Sequence, residues 1–100
     1  MLYAILGEDT HDSLNKRITA RTAHLERLRQ LQNEGRLFLA GPFPAVDAPD
    51  PGPAGYSGSL IVAEFPSLEE AQNWANADPY VIHGIFCRIT VKPFRKTLPI

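Results

Sequence analysis

The residue order predicts an α+β domain of the ferredoxin-like kind, βαββαβ, with one four-stranded antiparallel sheet and two helices on a single face. Three observations predict it. Four short apolar runs alternate with two helix-period segments in the order strand, helix, strand, strand, helix, strand. Glycine and proline punctuate the run ends, at Gly7, Gly41-Pro42 and Pro66. A chain of 100 residues is one domain, 1–100, with no room for a second.

The first strand is Leu2-Tyr3-Ala4-Ile5-Leu6, ending at Gly7, and it is apolar on both alternating faces. The polar segment Glu8 to Asp12 follows, and Asp12 or Ser13 can cap the helix behind it. That helix runs to about Glu34, with Gly35 placed as a left-handed stop. At 100° per residue, Leu14, Ile18, Leu25 and Leu28 form its apolar side, opposite Lys16, Arg27, Gln30 and Glu34. Arg17, Arg21, His24, Leu28 and Leu31 make a seam along one edge of that stripe. His24 therefore stands where the helix turns from buried to exposed.

Arg36 to Phe43 resumes a strand pattern, which Gly41-Pro42 is expected to end because proline cannot donate to a ladder. Pro44 to Ser57 carries four prolines and two glycines and reads as a stiffened surface loop, either covering a site or simply joining strands. Gly58 to Phe65 is the third strand, again apolar on both faces, and Pro66 ends it. Ser67 and Glu70 form a capping box, and Leu68, Ala71, Trp74 and Ala75 give the apolar face of the second helix. Asp78-Pro79 reads as an N-cap with proline at the first helical position, starting one short turn to His83. Ile85 to Phe94 is the fourth strand, with Ile85, Cys87, Ile89 and Val91 on one face and Cys87 expected in the core.

Two helices cover only one face of such a sheet. Apolar surface is worth ~25 cal/mol per Å², so a wet second face would forfeit many kcal/mol. The simplest cover is a second copy, sheet against sheet, and a homodimer of the α+β barrel type is expected.

Composition excludes several functions. The chain is 44% hydrophobic and 21% charged with a net charge of −1, which gives no general pull towards nucleic acid or an anionic membrane. No apolar run approaches the ~20 residues of a membrane span, and no basic leader precedes the first strand, so the expected location is the cytoplasm. Cys87 is the sole cysteine, which rules out an internal disulfide. Three histidines, His11, His24 and His83, never pair at i, i+4, so no metal is expected. There is no glycine-rich phosphate loop or dinucleotide fingerprint, and no cofactor is expected.

His24 is the leading candidate for chemistry, since an imidazole can serve as acid or base near neutrality. The alternative is a structural histidine at a helix edge. Asp78 is the second candidate: beyond capping, its carboxylate can hold an imidazole in one tautomer. Arg17 and Arg21 could clamp a carboxylate or phosphate, or lie along apolar surface and pair across a dimer. Tyr3, Tyr80 and His83 line a pocket or simply pack. Ser59 and Ser57 head the third strand, but no nucleophile-elbow pattern surrounds either.

The segments Arg21-Thr22-Ala23-His24-Leu25, Ala40-Gly41-Pro42, Gly58-Ser59, Trp74-Ala75 with Asp78-Pro79-Tyr80, and Val91-Lys92-Pro93-Phe94 together resemble the YciI-like proteins, the YCII-related domain family. The resemblance covers nearly the whole chain. It implies a ferredoxin-like fold assembled as a dimeric α+β barrel, similar to muconolactone isomerase, and a suspected active site whose histidine and aspartate fall on His24 and Asp78. Function in the family is largely unsettled. One relative is a dehydrochlorinase acting on a chlorinated hydroxyhydroquinone, so the scaffold can host a reaction. Two functions are carried forward. One is a cofactor-independent lyase, isomerase or hydrolase, in which His24 moves a proton, Asp78 orients it, and Arg21, Ser59, Tyr80 and Arg17 contact a small acidic substrate. The other is a non-catalytic metabolite-binding or accessory module.

Overall fold

The computed structural model describes residues 1–100 and has the expected order. β1 (Leu2–Asp9) leads through α1 (Leu14–Asn33) to β2 (Leu37–Pro44). A loop with one 3-10 turn at Gly52–Ala54 joins β2 to β3 (Tyr56–Glu64). Then come α2 (Leu68–Asn76), the single turn α3 (Pro79–Ile82) and β4 (Phe86–Phe94). The strands lie in the order β2-β3-β1-β4, all neighbours antiparallel. This is the ferredoxin-like α+β arrangement. No helix is long and apolar enough to cross a membrane.

The pairing assigns each face. On β1, Tyr3, Ile5 and Gly7 oppose Ala63, Ile61 and Ser59 of β3, and these face the helices. Leu2, Ala4 and Leu6 point the other way, with Leu60 and Val62. The helix side holds the larger core, in which Tyr3, Ile5, Ile61, Ala63 and Phe65 meet Leu28 and Leu31 of α1 and Ala71 and Ala75 of α2. A smaller cluster, Ala20, Tyr80, Ile85 and Phe86, closes the end near α3. Two buried polar side chains of α1, Arg17 and His24, stand along the same helix seam.

Several expectations need correction. Cys87 is exposed, not core. The ladder between β1 and β4 slips at Glu8/Asp9, so Glu8 faces Arg88 while Asp9 faces Phe86. Cys87 is the extra residue of that bulge, and Phe86 takes the inward place. The fit is close: a Cβ on Gly7 would lie 2.7 Å from the Phe86 ring. Ile18 is also outside the core, 68% exposed, because the buried seam of α1 runs Arg17, Ala20, His24, Leu28, Leu31. His24 is accordingly within the buried stripe and not at its edge. Ser13 is the N-cap residue of α1, but its hydroxyl makes no cap and donates instead to Asp9. Gly41-Pro42 does not stop β2, which continues to Pro44. β2 is an edge strand, so missing N–H groups on its free side cost nothing. β2 and β3 both run further into their connection than expected, which shortens the proline-rich loop to residues 45–55.

Other local expectations hold. Gly35 has φ +72° behind the last turn of α1. The Ser67 hydroxyl accepts from the Glu70 N–H at 3.1 Å. Asp78 caps α3, accepting from the Tyr80 N–H at 2.9 Å.

Candidate active site

The site begins with helix spacing. Arg17 and His24 are seven residues apart, two turns on one face of α1, and both turn inward. Asp78 comes to His24 from the other side, held by its capping role at the start of α3. Its Oδ1 and Oδ2 lie 2.8 and 3.0 Å from His24 Nδ1. The two side chains are 7% and 4% exposed. A carboxylate only accepts, so Nδ1 carries the proton and donates. Oδ1 takes bonds from both the imidazole and the Tyr80 amide, so one aspartate fixes the helix start and the histidine together.

Below the imidazole lies Tyr80. The rings stack with centroids 3.9 Å apart and planes 4° from parallel. The Tyr80 hydroxyl reaches the Arg17 carbonyl at a long 3.4 Å. Burial pushes the Tyr80 phenol above its ordinary pKa, with Arg17 and Arg21 pulling down and Asp78 and Asp9 pushing up. Arg27, one turn beyond His24, donates from Nη2 to the Trp74 carbonyl at 2.8 Å and stacks on that indole at 4.2 Å. Burial lowers its pKa, against the opposing pull of Asp78.

Arg17 is not a free clamp. Its Nε and Nη2 donate to Asp9 at 2.6 and 2.8 Å, and Nη2 also reaches the Gly58 carbonyl and the Ser59 hydroxyl, each at 3.0 Å. The guanidinium lies 5.0 Å from the Tyr56 ring and 5.1 Å from the Tyr80 ring. Asp9 was not singled out by the sequence, where it sits in a polar run behind a strand. β1 runs on to Asp9, and its alternation with Tyr3, Ile5 and Gly7 turns that carboxylate towards α1. Ser59 is thereby a partner of Arg17, joining β3 to the helix.

One cavity of about 490 Å³ opens between α1 and strands β2 and β3. Its walls include Arg17, Arg21, His24, Ser59 and Tyr80, so five of the six predicted site residues meet there. Asp78 stands behind His24, outside the wall. Of the aromatic and histidine alternatives, Tyr3 belongs to the main core and His83 is an exposed residue behind α3. His24 Nε2 has no protein partner and is not sealed from solvent, which leaves its lone pair available from the cavity. No three His, Cys, Asp or Glu side chains are grouped to hold a metal ion.

The YCII-related domain matches residues 1–95. The chain is 58% identical over 96 residues to "Protein YciI" of Escherichia coli, covering 96% of this chain and 98% of that one. It is 47% identical over 96 residues to an uncharacterized protein of Haemophilus influenzae, with the same coverage. Among solved structures it is similar to 5-chloro-2-hydroxyhydroquinone dehydrochlorinase (TftG) of Burkholderia phenoliruptrix, in complex with 2,5-dihydroxybenzoquinone. The TM-score is 0.83 at 26% identity, over 95% of this chain and 94% of that one.

Proposed function

Since the chain belongs to the YCII-related domain family, we propose that its cavity is the active site of a cofactor-independent enzyme that moves a proton on a small acidic molecule. The observation that carries this is the His24–Asp78 pair. Asp78 holds Nδ1–H, so the basic nitrogen is Nε2, on the cavity side. When Nε2 takes a proton from a bound substrate, the adjacent carboxylate stabilises the imidazolium. Arg21 and the Ser59 hydroxyl hold the substrate's anionic group, and Tyr80 fixes the imidazole plane. The reaction class is lyase, isomerase or hydrolase. Among these the lyase has support by analogy, because the solved neighbour is named a dehydrochlorinase.

The test is a screen for turnover of small ring acids and hydroxylated rings with wild type, His24→Ala and Asp78→Asn. A compound converted by wild type and only bound by His24→Ala supports the reading. Conversion unchanged in His24→Ala overturns it. A second reading, a metabolite-binding or accessory module, is favoured by one observation: the Ser59 hydroxyl is engaged by Arg17, and no base activates it as a nucleophile. A ligand held in the cavity and recovered unchanged from wild type supports that module.

We further propose a homodimer. The sheet face away from the helices presents Leu39, Phe43 and Phe94, 44, 40 and 39% exposed, around the half-buried Leu60, with Val62 already covered beneath them. An apolar patch of that kind is worth burying against a second copy. A lone exposed thiol, Cys87, suits a reducing compartment such as the cytoplasm.

A further inference from the structure

The charges around the cavity are one-sided. Arg17 is neutralised by Asp9, but Arg21 and Arg29 also line the wall, and neither is hydrogen-bonded or ion-paired to any protein group. No aspartate or glutamate lines the cavity. Arg21, Leu25 and Arg29 follow one another on successive turns of α1. At 1.5 Å per residue, the two arginines stand ~12 Å apart along the helix. Between them the cavity is apolar, with Leu25 and Leu28 on the helix side and Leu37 and Ile61 on the sheet side. The volume of about 490 Å³ is ample for a small ligand spanning that distance.

We infer that the cavity takes an elongated dianion, a molecule with an apolar body and a carboxylate at each end, one held at Arg21 and the other at Arg29. This rests on the active-site reading above and adds the second anionic group. A guanidinium recognises a carboxylate through paired N–H donors, and an apolar body removes water from the wall between them. A monoanion of the same shape leaves one arginine without a partner.

The experiment is calorimetric titration with biphenyl-4-carboxylate and biphenyl-4,4′-dicarboxylate, with the His24 imidazole followed by NMR in the same samples. The dicarboxylate is expected to bind wild type about tenfold more tightly, one charge-assisted contact's worth. Arg29→Gln, an exposed surface change, is expected to erase that ratio and leave the monocarboxylate affinity as it was. The ratio should shrink in high salt. Equal affinities for the two acids in wild type, with the His24 signals moving on binding, overturn the dianion and leave the active-site reading standing. A ratio untouched by Arg29→Gln also overturns it. If neither acid moves the His24 signals, both readings are overturned.

Discussion

The imidazole of His24 lies flat on the phenol ring of Tyr80, 3.9 Å between centroids and 4° from parallel. Three constraints thus hold one histidine: the helix that carries it, the carboxylate at Nδ1, and an aromatic plate under its face. Tyr80→Phe keeps the plate and loses only a 3.4 Å hydrogen bond, so it should cost under ~1 kcal/mol. Tyr80→Leu removes the plate and leaves a void, for a loss of roughly 3 kcal/mol. Urea melts give the stabilities, and the ring-current shifts of the His24 protons should survive in the first variant and vanish in the second.

The Asp9–Arg17 pair is buried, with side chains 1% and 8% exposed. Removing one member strands the other charge out of water, so Arg17→Met or Asp9→Asn should each cost about 3–5 kcal/mol. The double variant should cost clearly less than the sum of the two. Strict additivity in denaturant melts would mean that the pair is not coupled in solution.

Tyr80 also sets an alkaline limit. Its pKa is raised in the folded state, chiefly by burial. The stability contributed by keeping the phenol neutral is fully present below the ordinary value of about 10 and is lost as pH rises through the higher folded value. Wild type should therefore lose stability above about pH 10 more steeply than Tyr80→Phe. Parallel curves of denaturation midpoint against pH would remove this tyrosine from the account.

The ladder now tells neighbours on β3 apart. Ile61 opposes Ile5 on the helix side, and Val62 opposes Ala4 on the other. Ile61→Asp should unfold the protomer, while Leu60→Asp, at the half-buried outer-face position that opposes Leu6, should first break the proposed dimer. Sedimentation at several concentrations checks this, together with a wild-type melting temperature that rises with concentration. A folded wild-type monomer at high concentration would mean that the outer face needs no second copy.

Much of this arrangement is legible in the residue order, and the illegible parts share a cause. The α1 seam carrying His24 and the Asp78-Pro79 cap depend on local periodicity and capping chemistry, which a sequence displays. Their meeting, 54 residues apart, followed from the resemblance and not from spacing. The exposure of Cys87 and the burial of Phe86 depend on one bulge in the β1–β4 ladder, while Asp9 was missed because β1 continues past Gly7 through a polar run. Bulges arise from pairing between distant strands and leave no local pattern. Ile18 misled for a related reason: a polar residue with a buried partner displaced the apolar stripe. Arg17 occupies the inward position because Asp9, Gly58 and Ser59 wait for it there.

The most direct test of the proton-transfer role is the tautomer of His24, read from the imidazole nitrogen and carbon-proton correlations by NMR at a pH where the ring is neutral. The account predicts the proton on Nδ1, bonded to Asp78, and a bare Nε2 whose signal moves when a ligand enters the cavity. Asp78→Asn should disturb that tautomer. A proton resident on Nε2 in wild type, with no response to Asp78→Asn, would contradict the account.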